Sequence, residues 1–544
     1  MQMGDQRPDQ GTLFSTNAEA VIDKFHSAYF LMYLIGVGSL FAWNAFITPI
    51  NYWELRLHGS LYERSFESIL TSTFTLFSLM TILFIQRHEK MLSLRFRIIF
   101  SLLLLIAVFG WSSYAAIAPL SLDNSVLVQR LRDGSEGQFY TLIVSGALAG
   151  VGQAILTGAA MEYASLFGQP HYIQAVSGGQ GVAGLTVTLG SLFIALPGMT
   201  KQCGAASPPS PPALLTAPFA APHPYTDRLG AAMTPEHARD VVGSAVIYFC
   251  GTVGVLCCCL IGFFAIERLP FTRARKRIAR RHAEEAVTGK PAEFDDREGN
   301  WGRGDYSPPP IEASTPHMAM LRRQSTLMSP SPGRRKRESE APIFPMVWRW
   351  AAALTMVYTV SIAIFPSLTA SLFAVDDSSC MWQHLFTPLT FVVFNIGDTI
   401  GRNLPCHFKR SQTTLLVACC RWLFAPLFMM CHTDGPTTVF PGIFDVSNWS
   451  PLLTILLFAI TNGWLTTTVY VSSMNEVPAS QRGRNAGLLT CFLNTGIFFG
   501  AALSFFIRYL DCKPTASNGY DCNPFITTGN ASLGADSVAR VAAW

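Results

Sequence analysis

Long apolar runs separated by short polar segments dominate this chain. Eleven of them are long enough to cross a bilayer, since a helix needs about 20 apolar residues to span the hydrocarbon core. The runs lie near residues 27–50, 66–86, 98–119, 138–163, 172–198, 241–266, 344–374, 385–404, 412–432, 451–474 and 485–508. Six precede a long hydrophilic insert and five follow it. The pattern predicts an all-α integral membrane protein with eleven transmembrane helices in a 6+5 arrangement.

The hydrophilic insert divides the chain into parts. We expect an N-terminal six-helix half at 27–266, a disordered basic cytoplasmic loop at 267–343 and a C-terminal five-helix half at 344–508, because the insert is basic, Pro- and Ser-rich and lacks aliphatic periodicity. The motif RRQS in the insert ends at Ser325 and resembles a basophilic kinase site. A solvated linker near acidic lipid is an equally good interpretation of that motif.

Positive charges give the expected orientation. Lys and Arg cluster after the second, sixth, eighth and tenth runs, and these loops share one side if successive spans alternate. The positive-inside rule assigns that side to the cytoplasm. The segment 1–26 is then cytoplasmic and the tail 509–544 is extracellular or lumenal. The sequons at Asn448 and Asn530 fall on the outer side, as N-glycosylation requires.

The remaining composition narrows the class of protein. Hydrophobic residues make up 50% of the chain and charged residues 14%, against about 25% charged in soluble domains. The sequence contains no GxxxxGK[ST], HExxH or GxSxG motif and no CxxC pair. We therefore expect no enzyme activity, no cofactor, no metal site and no nucleic-acid partner. The plasma membrane is favoured, with an endolysosomal or vacuolar membrane as the alternative, and pairing of Cys512 with Cys522 is left open.

Two charges interrupt the eighth run. Asp398 and Arg402 are four residues apart and share one helix face, with Asn395 about one turn earlier. Each charge costs roughly 2.5–3.5 kcal/mol near the centre of a spanning helix, so such residues usually face a bundle interior or a water-filled cavity. The pair therefore marks a candidate substrate pathway. Snorkelling to the inner interface is the alternative for Arg402.

Two further charges lie within spans. Arg421 in the ninth run needs a partner, and Asp398 or Glu162 of the fourth run are candidates. These charges would then form a structural latch or a gate rather than touch a solute.

Polar residues also occur in the first and fifth runs. Gln180 lies among small residues at four-residue spacing, which favours close helix packing. Its buried amide needs a hydrogen-bond partner, from a solute or a neighbouring helix. Trp43 and Asn44 lie well inside the first run. An aromatic face beside an amide suits a flat heterocycle, although a packing role for Trp43 is comparably plausible.

Six motifs in order carry a family resemblance. They are AWNAFIT, SGGQGVAG, IFPSLTA, FNIGDTIGR, RWLFAPL and NGWL, in the first, fifth, seventh, eighth, ninth and tenth runs. With the 6+5 layout, they make the chain resemble the equilibrative nucleoside transporters. The resemblance implies a major-facilitator-like bundle with a central site, alternating access, and a nucleoside or nucleobase substrate moved by facilitative or proton-coupled transport.

The resemblance also implies roles for individual residues. Trp43 and Asn44 would line the site near the base, while Asp398 and Arg402 would engage the ribose or organise the helix around it. Asn395 and Gln180 would be supporting polar groups.

One position departs from the family pattern. Thr157 stands where family members often carry a base-binding glutamine, and Gln153, one turn earlier, is the candidate substitute. Two other functions stay open at this point: a facilitator for a sugar, drug or organic ion, and a receptor or scaffold signalling through the basic insert.

Overall fold

The computed structural model describes residues 23–57, 60, 62, 66–88, 92–120, 135–204, 235–288, 342–365, 368–369, 372, 380–404, 410–431 and 447–511. All regular elements in these residues are helices. They are α1 (Ser27–Ile47), α2 (Ile50–Leu57), α3 (Phe66–Arg87), α4 (Leu94–Leu120), α5 (Ser135–Ser165), α6 (Pro170–Gly204), α7 (Pro235–Arg268), α8 (Pro270–Thr288), α9 (Phe344–Ile364), α10 (Cys380–Asn403), α11 (Ser411–Cys420), α12 (Phe424–Met429), α13 (Trp449–Ser473) and α14 (Arg482–Asp511). Three short 3-10 turns join them, at Lys24–His26, Arg421–Leu423 and Ala479–Gln481.

The described residues contain nine helical segments long and apolar enough to cross a membrane. The protein is therefore an all-helical, multi-pass membrane protein. Two other helices, α6 and α10, also match the length of a span. The first is rich in Gly, Ser, Thr and Gln, and the second contains Asp398 and Arg402.

The seventh helix is shorter than its apolar run suggests. The run was predicted to be helical over 344–374, whereas α9 ends at Ile364. The backbone of Phe365 is extended, with φ −109° and ψ 129°. The next residue in the sequence is Pro366, and a residue before proline is sterically excluded from the helical region. The predicted continuation to residue 374 is therefore wrong.

The ninth run is a helix with an interruption. A 3-10 turn at Arg421–Leu423 separates α11 from α12. Pro426 lacks the N–H that would bond the Trp422 carbonyl in an α-helix, so the turn before it tightens. Arg421 lies at this irregularity.

The hydrophilic insert is not wholly irregular. Its first part forms α8, so the prediction of disorder over 267–343 does not hold there. Phe271, Ala274 and Ile278 recur at helical spacing on one face, a short amphipathic pattern outweighed by the surrounding basic residues. Ser325, Asn530, Cys512 and Cys522 lie outside the described residues. Asn448 precedes α13 and is only 9% exposed, which leaves little room for a glycan in this conformation.

Glycines bring α1 and α6 into backbone contact. A Cβ atom at Gly36 would overlap the carbonyl of Val176, and one at Gly179 would overlap the carbonyl of Tyr33. Only a residue without a side chain permits this approach. The close packing predicted from the small residues of the fifth run is confirmed. It places Gln180 beside α1.

A second glycine crossing joins α10 and α13. A Cβ atom at Gly401 would overlap the carbonyl oxygen of Ile460, and one at Gly463 would overlap that of Asp398. The backbone that carries Asp398 therefore lies directly against α13. Asn462 is the neighbour of Gly463, so its amide is brought within reach of the carboxylate.

This crossing predicts the effect of a single methyl group. We expect Gly463→Ala to reduce folding stability by about 1–3 kcal/mol, because the added methyl forces two packed helices apart. Thermal denaturation of the purified protein in detergent, read by size-exclusion chromatography, measures the change. Gly254→Ala is the matched control, since a Cβ atom there meets nothing within 4 Å. Equal losses in the two variants would contradict the proposed close crossing.

Candidate functional site

Asp398 and Arg402 form an ion pair inside the bundle. Arg402 Nε lies 2.7 Å from Asp398 Oδ2, and the two residues are 3% and 5% exposed. The other carboxylate oxygen, Oδ1, accepts a hydrogen bond of 2.7 Å from Asn462 Nδ2. The pairing predicted from their spacing is confirmed. Each charge is satisfied, as burial in a medium of low dielectric constant requires.

The guanidinium of Arg402 also contacts α6. Its Nη1 donates to Gln180 Oε1 at 3.0 Å and to Ser177 Oγ at 3.3 Å. The Ser177 hydroxyl in turn lies 2.7 Å from Thr467 Oγ1 of α13. Arg402 therefore links the N-terminal helices (α1–α7) to the C-terminal helices (α9–α14). Snorkelling does not describe this arginine, because its head group is buried among polar partners.

The network continues at both ends. Gln180 Nε2 donates to Ser39 Oγ on α1 at 3.2 Å. On the other side, Ser361 donates to Asn462 Oδ1 at 2.6 Å, and Arg402 Nη2 donates to Tyr358 Oη at 3.4 Å. Five helices thus contribute to one chain of hydrogen bonds.

Several members of this network were not predicted from the sequence. Asn462, Tyr358 and Ser177 escaped notice as candidate site residues. Asn462 stands alone as an amide in the apolar stretch ILLFAITNGWL, and such a residue must find a partner when buried. The isolated amide therefore marks Asn462 as a residue that needs a partner, but nothing in the sequence identifies Asp398 as that partner.

Trp43 and its neighbours lie apart from the charge pair. The Trp43 ring centroid is 4.1 Å from that of Phe74, and its backbone N–H donates to Gln153 Oε1 at 3.1 Å. Trp43, Asn44 and Gln153 are half-buried. Asn44 donates to the Leu40 carbonyl of its own helix at 3.1 Å. These groups form an aromatic and amide wall that is partly open.

Thr157 and Asn395 occupy different environments. Thr157 is buried and donates to the Ser39 carbonyl at 3.3 Å. Asn395 is half-buried and donates to the Phe391 carbonyl at 2.9 Å, while its Oδ1 faces Gly184. Within the described residues, neither side chain joins the Asp398 network. Of these two, Asn395 is the more accessible.

Arg421 does not pair with a carboxylate among the described residues. It donates to the carbonyl oxygens of Val357 at 2.9 Å and Phe458 at 3.2 Å, and to Thr461 Oγ1 at 3.2 Å. Its guanidinium carbon lies 4.5 Å from the Phe458 ring centroid. The expected partnership with Asp398 or Glu162 is therefore wrong. Main-chain carbonyl groups of α9 and α13 take the place of an acid.

Glu162 belongs to another pair. Its Oε2 lies 2.6 Å from Arg97 Nη2, which joins α5 to the start of α4. Gly483 of α14 faces the same Glu162 side chain, since a Cβ atom added at Gly483 would lie 3.2 Å from Glu162 Cγ. Glu162 is thus placed at a contact between the N-terminal and C-terminal helices.

The arrangement suits recognition of an uncharged polar solute. A buried charge pair offers strong hydrogen-bonding groups, and a partly open aromatic wall offers a flat apolar surface. Neither group is arranged for covalent chemistry.

The charge pair predicts non-additive stability. We expect Asp398→Asn and Arg402→Met each to destabilise the protein by about 3–5 kcal/mol, because each leaves a buried partner unsatisfied. The double variant should lose clearly less than the sum, as measured by thermal denaturation. A second cycle that combines Asp398→Asn with Arg97→Met is the control. The losses of stability in that cycle should add, because Asp398 and Arg97 belong to separate ion pairs. Additive losses in both cycles would exclude a coupled Asp398–Arg402 pair.

Comparisons with known proteins identify the family. Residues 231–509 match the model of a family described as "Nucleoside transporter". The chain is 27% identical to Equilibrative nucleoside transporter 2 of Rattus norvegicus over 512 residues, covering 90% of this chain and 98% of that protein. It is 22% identical to Equilibrative nucleoside transporter 1 of Homo sapiens over 519 residues, covering 89% and 98%.

A plant relative and a solved structure extend the comparison. Equilibrative nucleotide transporter 1 of Arabidopsis thaliana is 24% identical over 498 residues, covering 90% of this chain and 87% of that protein. Among solved structures, a proton:xylose symporter of the major facilitator superfamily aligns with 88% of each chain at 10% identity, with a TM-score of 0.49. A score below 0.5 does not establish a shared fold. The family match covers just over half of the 544 residues, and the chain belongs to the nucleoside transporter family.

Proposed function

We propose that this protein carries nucleosides across a membrane through a site between the N-terminal and C-terminal helices. One observation carries the proposal beyond family membership. The buried pair Asp398–Arg402 belongs to the C-terminal helices, yet Arg402 is completed by Gln180 and Ser177 of the N-terminal helices. A solute that binds there is bound by both sets of helices, as a transporter with a central site requires.

The ribose would engage this charge pair by exchange of partners. Arg402 is 2.7 Å from Asp398 but 3.0–3.5 Å from its acceptors on α6. The longer bonds are the weaker ones, so a sugar hydroxyl can replace them while the ion pair persists. Binding would then remove a direct link between the two sets of helices. Substrate binding is coupled in this way to the relative movement of the two sets of helices.

The base would lie against the aromatic and amide wall. Trp43 supplies a flat surface, and Asn44 and Asn395 supply amides at partly open positions. Gln153 is the better candidate than Thr157 for contact with the base, since Thr157 is buried and bonded to the Ser39 carbonyl.

We propose eleven spans in a 6+5, major-facilitator-like arrangement. The nine apolar spans are completed by α6 and α10, whose polar residues face the proposed site rather than lipid. With the ends rich in Lys and Arg in the cytoplasm, the N-terminus is cytoplasmic and the C-terminus is extracellular or lumenal. We favour the plasma membrane as the location.

Contacts at the proposed cytoplasmic side support an outward-facing conformation. Arg482 Nη1 donates to the Gly168 carbonyl at 3.4 Å, and Gln174 Nε2 donates to the Asn403 carbonyl at 3.1 Å. Both contacts join N-terminal to C-terminal helices. Trp43, nearer the other side, is only half-buried. Alternating access would break these cytoplasmic contacts and close the outer half.

Uptake of radiolabelled nucleosides by oocytes expressing the protein tests this function. We expect saturable uptake that unlabelled nucleosides inhibit and that xylose and organic cations do not. The rate should be similar at acidic and neutral pH, as expected of a facilitative carrier that moves no proton with its solute. Saturable uptake of a sugar without nucleoside uptake would overturn the proposal. A strong acceleration by acid would instead indicate proton coupling and contradict the facilitative mechanism.

Paired substitutions test where the base binds. We expect Gln153→Leu to raise KM for nucleosides about fivefold, the equivalent of one uncharged hydrogen bond of roughly 1 kcal/mol. Thr157→Val keeps the side-chain shape and should change KM much less, because the hydroxyl it removes points at the main chain. Uptake kinetics corrected for surface expression measure both. A larger rise in KM for Thr157→Val than for Gln153→Leu would instead indicate that the base binds at Thr157.

A further inference from the structure

The exposed face of α8 carries three arginines. Arg273, Arg277 and Arg280 are exposed and spaced by four and three residues, which places them on one side of the helix. In the part of the chain that the structure describes, their guanidinium groups make no hydrogen bond or ion pair. Three like charges on one face repel each other, and the single exposed carboxylate described on the same side, Glu284, leaves this face with a net positive charge.

Two other cations of α8 contact groups within the protein. Lys276 pairs with Glu267 and lies 4.9 Å from the Tyr163 ring centroid. The guanidinium carbon of Arg275 lies 5.2 Å from the centroid of Phe271. Lys276 and Arg275 thus contact groups within the protein, whereas Arg273, Arg277 and Arg280 have no partner among the described residues.

Two contacts hold α8 in place. Phe271 is buried, and its ring centroid lies 5.9 Å from that of Phe167 and 5.8 Å from that of Tyr172. The helix also packs against the 3-10 turn Ala479–Gln481 between α13 and α14. The arginine face is therefore a surface of fixed position.

This surface begins within a few residues of a candidate membrane span. Arg268 ends α7, a candidate span, and α8 begins two residues later. At a helical rise of about 1.5 Å per residue, Arg273, Arg277 and Arg280 lie at most about 8, 14 and 18 Å beyond that span. Head groups extend roughly 5–7 Å beyond the hydrocarbon core on each side. Arg273 is therefore the residue nearest the head groups, and the long side chains of all three arginines shorten the distance further.

We propose that Arg273, Arg277 and Arg280 form a binding surface for anionic phospholipid in the cytoplasmic leaflet. Guanidinium groups bind phosphate and carboxylate through paired hydrogen bonds, and juxtamembrane basic residues attract anionic lipid. The proposal depends on the orientation that places the end of α7 in the cytoplasm, and is independent of the transported solute.

Native mass spectrometry of the purified full chain tests the proposal without any nucleoside. Protein in detergent is incubated with an equimolar mixture of phosphatidylserine and phosphatidylcholine, and the lipids retained are counted. We expect wild type to retain phosphatidylserine preferentially. The variant Arg273→Gln/Arg277→Gln/Arg280→Gln should lose that preference by about tenfold or more, whereas substitution of all three by Lys should largely keep it.

Matched controls separate this surface from general charge effects. Arg87, Arg95 and Arg410 are exposed cations at the same side of the bundle, and their triple change to Gln should leave the preference intact. Glycerophosphoserine, which lacks acyl chains, should not displace the lipid.

Three results would overturn the proposal: an unchanged preference in the α8 Gln variant, an equal loss in the control variant, or displacement by glycerophosphoserine, which would indicate a site for a soluble anion. Size-exclusion profiles matching wild type show that the variants fold.

Discussion

The need to satisfy a guanidinium inside a membrane bundle governs the centre of this structure. Arg402 is 3% exposed, and an unpaired charge in that position would cost far more than any single contact returns. Asp398 supplies the countercharge, but one carboxylate cannot accept all five N–H groups of an arginine. The remaining donors reach Gln180, Ser177 and Tyr358. The need of Arg402 for hydrogen-bond acceptors thereby fixes the relative position of α6, α9 and α10.

Backbone packing makes this arrangement possible. The glycine crossings of α1 with α6 and of α10 with α13 bring the helix axes close enough for short side chains such as Ser39 and Asn462 to meet their partners. Apolar side chains give no net attraction between helices in lipid, so small residues and polar contacts carry the association. A methyl group at a crossing would therefore disturb the polar network as well as the packing.

The sequence was sufficient for the all-helical membrane class and for the charge pair, but not for the wider network around that pair. Helix positions follow from apolar length, and the pairing of Asp398 with Arg402 follows from four-residue spacing, which are both local properties. The partners of Arg421 are carbonyl oxygens, and a carbonyl is present at every residue, so no sequence pattern distinguishes those of Val357 and Phe458. The contact of Arg402 with Gln180 depends on how α6 crosses α10, which is a long-range property. Helix α8 was missed for another reason, because its few apolar residues are outnumbered by basic ones.

Arg402 and Arg421 differ in what movement of the helices would do to their hydrogen bonds. Arg421 bonds to Val357 and Phe458, both within the C-terminal helices, so these bonds survive if those helices move as a unit. Arg402 bonds across the boundary to Gln180, so the same movement must break that bond or carry α6 along. Without a replacement acceptor, separation would leave a guanidinium donor unsatisfied in a dry environment, at a cost of about 1–3 kcal/mol or more. In the proposed binding mode, a sugar hydroxyl would be such a replacement. Movement of the empty protein would then cost more than movement of the loaded one, and that difference would couple the conformational change to the solute.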